Sequence, residues 1–227
     1  IGIPLCLGFY ELLPFWWAFW TKLGFAVHTS PVSSRGLYLA GQATIPSDTA
    51  CFPAKLSHGH IKALSQMQLD AIFYPCLTYN FDEGLGDNHY NCPVVAYYPE
   101  VLAGNCPELE GKKFIYDYVG IHRPKDFVHK MAKNVLPKYF GGISEKEVQA
   151  AADAAYAEHE AHMAQIRVKG SEIIDEARRQ GKRIIVLAGR PYHVDPEVNH
   201  GIDHLITRHG AAVITEDSIS DRVEKFP

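Results

Sequence analysis

DAIFYP, residues 70–75, decides the fold: it is an apolar run of strand length that ends at a proline. A helix is predicted before it, because Ser47 is a cap-type residue and Pro53 suits a first helical turn. That helix ends near Gln66, and a polar, glycine-containing loop follows the strand from Leu77 to Pro93. A helix followed by a buried strand is the repeating step of an α/β sheet.

The same alternation continues on both sides of this strand. Further strands are predicted at Ile1–Leu7, Phe25–Thr29, Val94–Tyr98 and Lys113–Val119. Helices are predicted from Pro14 toward Gly24, from Ser33 or Ser34 toward Gly41, and over Asp126–Leu136. Alternating strands and helices are typical of a parallel, doubly wound sheet.

The second half of the chain carries one long alanine-rich helix. Ser144 and Glu147 form a capping box that opens it, and it runs toward Gln180 unless Gly170 interrupts it. A fully buried strand, a helix and a further strand are then predicted at 183–188, 197–209 and 211–215. The predicted fold class is α/β, with two lobes of mainly parallel sheet flanked by helices, at residues 1–108 and 109–227.

Composition excludes several classes of protein. The chain has 227 residues, a net charge of −4 and no cluster of basic residues, which argues against a nucleic-acid binder. The first twenty residues carry one charge, but Pro4, Pro14 and Glu11 argue against a membrane or signal segment. Five scattered cysteines indicate a reducing, cytoplasmic setting. Because the chain begins on a strand-like run without Met, we expect a segment of a longer protein.

Three cysteines fall where an open parallel sheet places its ligands. Cys51 begins a helix, Cys76 ends the DAIFYP strand, and Cys92 precedes the next predicted strand. A helix N-terminus lowers the pKa of a thiol, and three converging thiolates suit an iron–sulfur cluster. With His89 they would equally suit a Cys₃His zinc site, whereas spacings of 25 and 16 residues match no compact metal motif. Small buried hydrophobes remain the plain alternative.

A second candidate is GRPYHVDPEVNHG, residues 189–201, which leaves a buried strand and enters a helix. Arg190 would clamp an anion there, and His193 and His200 would donate hydrogen bonds or move protons. The alternative is a rigid turn in which Asp195 only caps the helix. In the helix that Cys51 begins, His58 and His60 are two positions apart, so we expect at most one of them to face a site and the other to be solvated.

Common enzyme motifs are missing from the sequence. It has no GxxxxGK[ST] loop, no strand-linked GxGxxG, no GxSxG and no HExxH. No residue is therefore assigned a catalytic role, and the motifs leave open whether the segment is an enzyme.

Four segments carry a family resemblance. They are PFWWAFWTKLGF (14–25), IPSDTACFPAKLSHGHI (45–61), FYPCLTYNFDEGLGDNHYNCPVVAYYPEVL (73–102) and LAGRPYHVDPEVNHGI (187–202). Together they resemble the domain that follows the paired ATPase modules in large CoA-substrate-specific enzyme activases, the activators of 2-hydroxyglutaryl-CoA dehydratase. That domain is similar to the iron–sulfur subunits of 2-hydroxyacyl-CoA dehydratases of anaerobic bacteria.

The resemblance implies an electron-transfer function. Cys51, Cys76 and Cys92 would hold a [4Fe–4S] or larger cluster, and Arg190, His193, His200 and His89 would line the cleft beside it. ATP would act only through modules of the same full-length protein that lie outside this segment. A 2-hydroxyacyl-CoA dehydratase-like enzyme would receive the electrons, and a homodimer is left open. Leu5 departs from the family pattern, which has an arginine at or near this position.

Two other functions stay open. The segment is alternatively a cofactor-free domain that docks the ATPase modules onto the dehydratase, with Trp16, Trp17 and Trp20 as the docking face. It is alternatively a structural domain stabilised by zinc through the same thiols and His89.

Overall fold

The computed structural model describes residues 1–84 and 86–222. Its centre is a four-stranded sheet of short parallel strands, and its spatial order is β2-β1-β3-β4. The strands are β1 Gly2–Ile3, β2 His28–Thr29, β3 Ile72–Phe73 and β4 Phe114–Ile115. The α/β class with a parallel sheet and one long helix is thereby confirmed. Each strand lies inside its predicted range but is shorter.

The order of the strands creates a switch point between β1 and β3. From β1 the chain crosses to β2 on one side, and from β3 it crosses to β4 on the other. All four strands are parallel, so their carboxyl ends meet at one edge of the sheet. Ligands of open α/β sheets bind at such an edge, beside the switch point.

Four helices connect these strands. They are α1 Phe9–Lys22, α2 Arg35–Gly41, α3 Phe52–Ser65 and α4 Pro93–Asn105. The Ser34 cap of α2 is confirmed, because its Oγ accepts a hydrogen bond from the Leu37 amide. The predicted strand Val94–Tyr98 is wrong: α4 covers it, with Pro93 in its first turn. The start of α1 is also earlier than predicted, so Pro14 lies inside the helix.

An aromatic cluster forms the core between the sheet and α1. Trp16 and Trp20 are fully buried against Phe73 of β3, with ring centroids 4.6 and 5.0 Å away. Such pairs stabilise a core beyond the area that they bury. Trp17 points outward and is 43% exposed. The predicted docking face of three tryptophans is therefore reduced to one exposed ring.

Helices α2 and α3 cross at two glycines, and this crossing fixes the helix that Cys51 begins. A Cβ on Gly59 would lie 2.1 Å from the Leu37 carbonyl oxygen, and one on Gly41 would lie 2.2 Å from the Gly59 nitrogen. Both neighbours are backbone atoms that no side-chain rotation removes. Glycine is therefore required at both positions for the two backbones to touch.

The remaining helices are α5 Pro124–Lys130, α6 Leu136–Tyr139, α7 Glu145–Arg179, α8 Pro196–Asn199 and α9 Ile202–Arg208. One π-helical turn, Met131–Val135, joins α5 to α6. The Ser144 capping box is confirmed, and α7 continues through Gly170 without a break. The helix predicted at 197–209 is two helices, because His200 and Gly201 adopt left-handed backbone angles between α8 and α9.

The second sheet is a parallel pair, β5 Ile184–Leu187 and β6 Ala212–Thr215. The prediction that 183–188 is fully buried is wrong, because Ile185 and Val186 are 39% and 41% exposed. The domain boundary after residue 108 stays a prediction; β4 follows it in the chain and pairs with β3. Within the described ranges, no helix has the length and apolar character needed to cross a membrane.

Candidate functional site

A cavity of about 230 Å³ opens at the switch point of the sheet. Gly8 and Glu11 reach it from the segment that follows β1, and Asn80 and Cys92 reach it from the segment that follows β3. Arg190 is at its rim. The sequence placed Cys92 and Arg190 in separate motifs, and the fold brings them to one cavity at the edge where ligands are expected.

Cys51 and Cys92 occupy equivalent positions at the start of two helices. Cys51 is the N-cap residue of α3 and Cys92 the N-cap residue of α4. Neither helix has a side-chain cap, and each has a proline in its first turn. The first amides of both helices are therefore available to an anion, and the helix dipole favours negative charge there.

Both thiols influence Tyr192. It lines the cavity together with Cys92. The pKa of its phenol is raised by burial first, and then by the nearby thiols of Cys92 and Cys51. Both sulfurs therefore act electrostatically on the same side chain. Cys51 is exposed, whereas Cys92 is half-buried.

Cys76 lies apart from this pair. It is fully buried and forms a single parallel bridge with Tyr118 beyond β3 and β4. Burial, and then the charge of Glu100, raise the pKa of its thiol to about 12. Glu100 lies eight residues beyond Cys92, about two turns along α4. The described residues contain no group of three metal-ligating side chains, so the three predicted thiols do not form a preassembled site.

Two of the four residues that were predicted to line the cleft lie at this cavity, and the other two do not. Arg190 and His89 line it. His193 turns away, since its Nδ1 lies 2.6 Å from the Arg190 carbonyl oxygen and its Nε2 lies 3.7 Å from Glu216. His200 stacks on Phe52, next to Cys51, with ring centroids 5.9 Å apart. His89 also contacts the rings of Tyr79 and His122.

Sequence reasoning missed the role of Glu11. Its two carboxylate oxygens accept hydrogen bonds of 3.0 and 2.9 Å from the Asn80 amide. Burial raises the pKa of Glu11 to about 7; the Asn80 hydrogen bond opposes the shift, and the charges of Asp217 and Glu83 add to it. Glu11 therefore exchanges a proton near neutral pH inside the cavity. In the sequence, Glu11 is the one charged residue among the first twenty, and this isolated charge was the signal that could have identified it.

Sequence reasoning also missed a buried polar chain through Asp195, Ser33 and His60. The expectation that one of His58 and His60 is solvated is wrong, because both are buried. His58 is held by Thr44 at 2.8 Å and by Tyr98 at 3.0 Å, and His60 by two serines. Helix α3 buries both faces, so neighbouring positions on opposite sides are both inside the protein.

Comparison with known proteins gives one match. The family described as CoA enzyme activase uncharacterised domain matches residues 1–219, nearly the whole chain. No curated protein and no solved structure shows significant similarity to this chain.

Proposed function

The chain belongs to the CoA enzyme activase uncharacterised-domain family, and from this we propose that it is an iron–sulfur electron-transfer domain. In this proposal it passes low-potential electrons toward a 2-hydroxyacyl-CoA dehydratase-type enzyme. ATP hydrolysis belongs to modules of the activase outside this segment, in keeping with the missing phosphate-loop motif. The five free cysteines favour a cytoplasmic location.

The observation that carries the proposal is that Cys51 and Cys92 each begin a helix whose first amides lack a side-chain cap. After burial, both thiols also contribute to the raised pKa of the Tyr192 phenol. Backbone amides at such positions donate to cluster sulfides and set the reduction potential. The cluster itself would supply one-electron transfer. These two thiols would supply part of the ligand set that such a cluster needs.

The third proposed ligand, Cys76, requires a local movement. Its thiol lies beside Glu100, about two turns along α4 from Cys92. The segment between β3 and the cavity would have to shift for Cys76 to join the other two thiols. Metal binding would supply the free energy both for such a shift and for deprotonating the Cys76 thiol, whose pKa is raised.

Anaerobic reconstitution with iron and sulfide tests the proposal. Wild-type protein should hold about four or eight irons per chain. We expect Cys51→Ser and Cys92→Ser to lose most of this iron, and Cys76→Ser to lose it if the proposed shift occurs. Cys6→Ser and Cys106→Ser are matched controls, because both thiols are buried in the same lobe outside the proposed ligand set. Equal iron in all five variants would refute the proposal.

Two observations favour the other candidate functions. His89 lines the same cavity as Cys92, which suits a zinc site, and stoichiometric zinc with unfolding on chelation would establish it. The lack of three assembled ligands among the described residues favours a docking domain. A colourless protein that binds the ATPase modules after strictly anaerobic purification would support docking. Size-exclusion chromatography in the same preparation decides whether the segment forms a homodimer.

A further inference from the structure

Asp195 is a buried carboxylate whose two oxygens have separate tasks. It is 2% exposed. Its Oδ1 accepts from the amides of Glu197 at 2.8 Å and Val198 at 3.2 Å, which caps α8. Its Oδ2 accepts from the hydroxyls of Tyr10, at 2.8 Å, and Ser33. The cap was predicted, but the second oxygen joins the 189–201 segment to residues far away in the chain.

The contact with Ser33 continues as a chain of hydrogen bonds. Because Ser33 donates its only proton to Asp195, it accepts from Nε2 of His60 at 2.9 Å. His60 is then neutral and accepts at Nδ1 from Ser30 at 2.6 Å. Ser30 in turn accepts from the Leu5 amide at 2.8 Å, directly after β1. Every donor is matched to an acceptor, so Asp195 is tied to the carboxyl end of the sheet.

The segment that Asp195 holds lines the same cavity as Cys92. Arg190 and Tyr192 line the cavity on which Cys92 opens. Cys92 is half-buried there, whereas Cys51 is exposed although His200 stacks on its neighbour Phe52. Removal of the segment would leave the Cys92 side of the cavity open.

We propose that Asp195 is a latch and that residues 189–201 form a cover over Cys92. The contacts of Oδ2 with Tyr10 and Ser33 hold the cover closed, and breaking them admits solutes to the thiol. Asp195 is in this sense a positioning residue. The inference goes beyond the proposed function, because it holds for the metal-free protein and for any metal that Cys92 binds.

The two tasks of Asp195 make the latch testable apart from the cap. The double variant Tyr10→Phe/Ser33→Ala removes both latch donors and leaves the α8 cap intact. The single variant Tyr10→Phe serves if the double variant does not fold. Tyr156→Phe is the matched control, because it removes one long-range hydrogen bond, to the Ile121 carbonyl at 2.6 Å, outside the latch.

The measurement is the rate at which iodoacetamide alkylates each cysteine of the metal-free protein, followed by peptide mass spectrometry. We expect alkylation of Cys92 to accelerate about tenfold or more in the double variant, since the two latch hydrogen bonds no longer oppose opening. The exposed Cys51 should react at its wild-type rate, and so should the buried Cys6 and Cys106. Tyr156→Phe should leave all rates unchanged.

Two outcomes would overturn the latch. One is an unchanged Cys92 rate in both the double variant and Tyr10→Phe. The other is a parallel rise at Cys6, Cys92 and Cys106, which would show general loosening rather than an opened cover. Neither outcome depends on iron, so the latch and the electron-transfer proposal fail separately.

Discussion

Replacing Gly59 by alanine tests the glycine crossing that positions the Cys51 helix. In an open helix this change would stabilise the protein by about 0.5–1 kcal/mol, because alanine has the higher helix propensity. Here the new Cβ would lie 2.1 Å from the Leu37 carbonyl oxygen and 2.7 Å from its carbonyl carbon. Forcing a methyl group into a packed contact costs about 1–3 kcal/mol or more. We therefore expect a net loss of about 1–2 kcal/mol.

Urea denaturation followed by circular dichroism measures this loss, with Gly104→Ala as the control. Gly104 lies in α4 and a Cβ there would have no neighbour within 4 Å. The control should gain about 0.5–1 kcal/mol from helix propensity alone. A Gly59→Ala protein that is as stable as the control would refute the close approach of α2 and α3.

Three further predictions concern buried groups. Burial lowers the pKa of His60 to about 4, so the unfolded chain binds its proton first as pH falls below 6.5. Wild-type stability should therefore drop by about 2 kcal/mol more than that of His60→Gln between pH 7 and pH 5, and equal drops in urea midpoints would contradict this. For Glu11 the pH dependence of stability has the opposite sign. Its pKa in the folded protein, about 7, lies above the value in the unfolded chain, so its contribution to stability is lost as pH rises through 7. Between pH 5 and pH 8, the stability of Glu11→Gln relative to wild type should thus rise by up to about 3 kcal/mol, and a stability difference independent of pH would count against this prediction. Gly170→Ala should destabilise the protein by about 1–3 kcal/mol, because its Cβ would meet the Ser218 carbonyl oxygen at 2.9 Å; an unchanged melting temperature would exclude that contact.

Local signals predicted most of the fold. The strand within 70–75 and the caps at Ser34 and Ser144 each depend on neighbouring residues in the chain, and the structure confirms them. The run Val94–Tyr98 failed because its apolar, β-branched residues suit a buried strand as well as a buried helix. Pro93 in the first turn was the signal that distinguishes the two.

Local patterns likewise predict some features of the candidate site and miss others. Its location at the carboxyl edge of the sheet follows from the alternation of strands and helices, and Cys51 begins a helix as the sequence indicated, whereas Cys92 begins a helix where a strand was expected. The link from Asp195 to His60 joins segments far apart in the chain, and no local pattern announces it. Cys76 shows the same limit, because only the packing of α4 reveals that its thiol lies beside Glu100.

The most direct test of the central claim is electron paramagnetic resonance of the anaerobically reconstituted, dithionite-reduced protein. We predict the signal of a reduced iron–sulfur cluster in wild type and in Cys106→Ser, and its loss in Cys51→Ser and Cys92→Ser. Wild-type protein without a signal, or a signal that survives both substitutions, would contradict the electron-transfer function proposed for this domain.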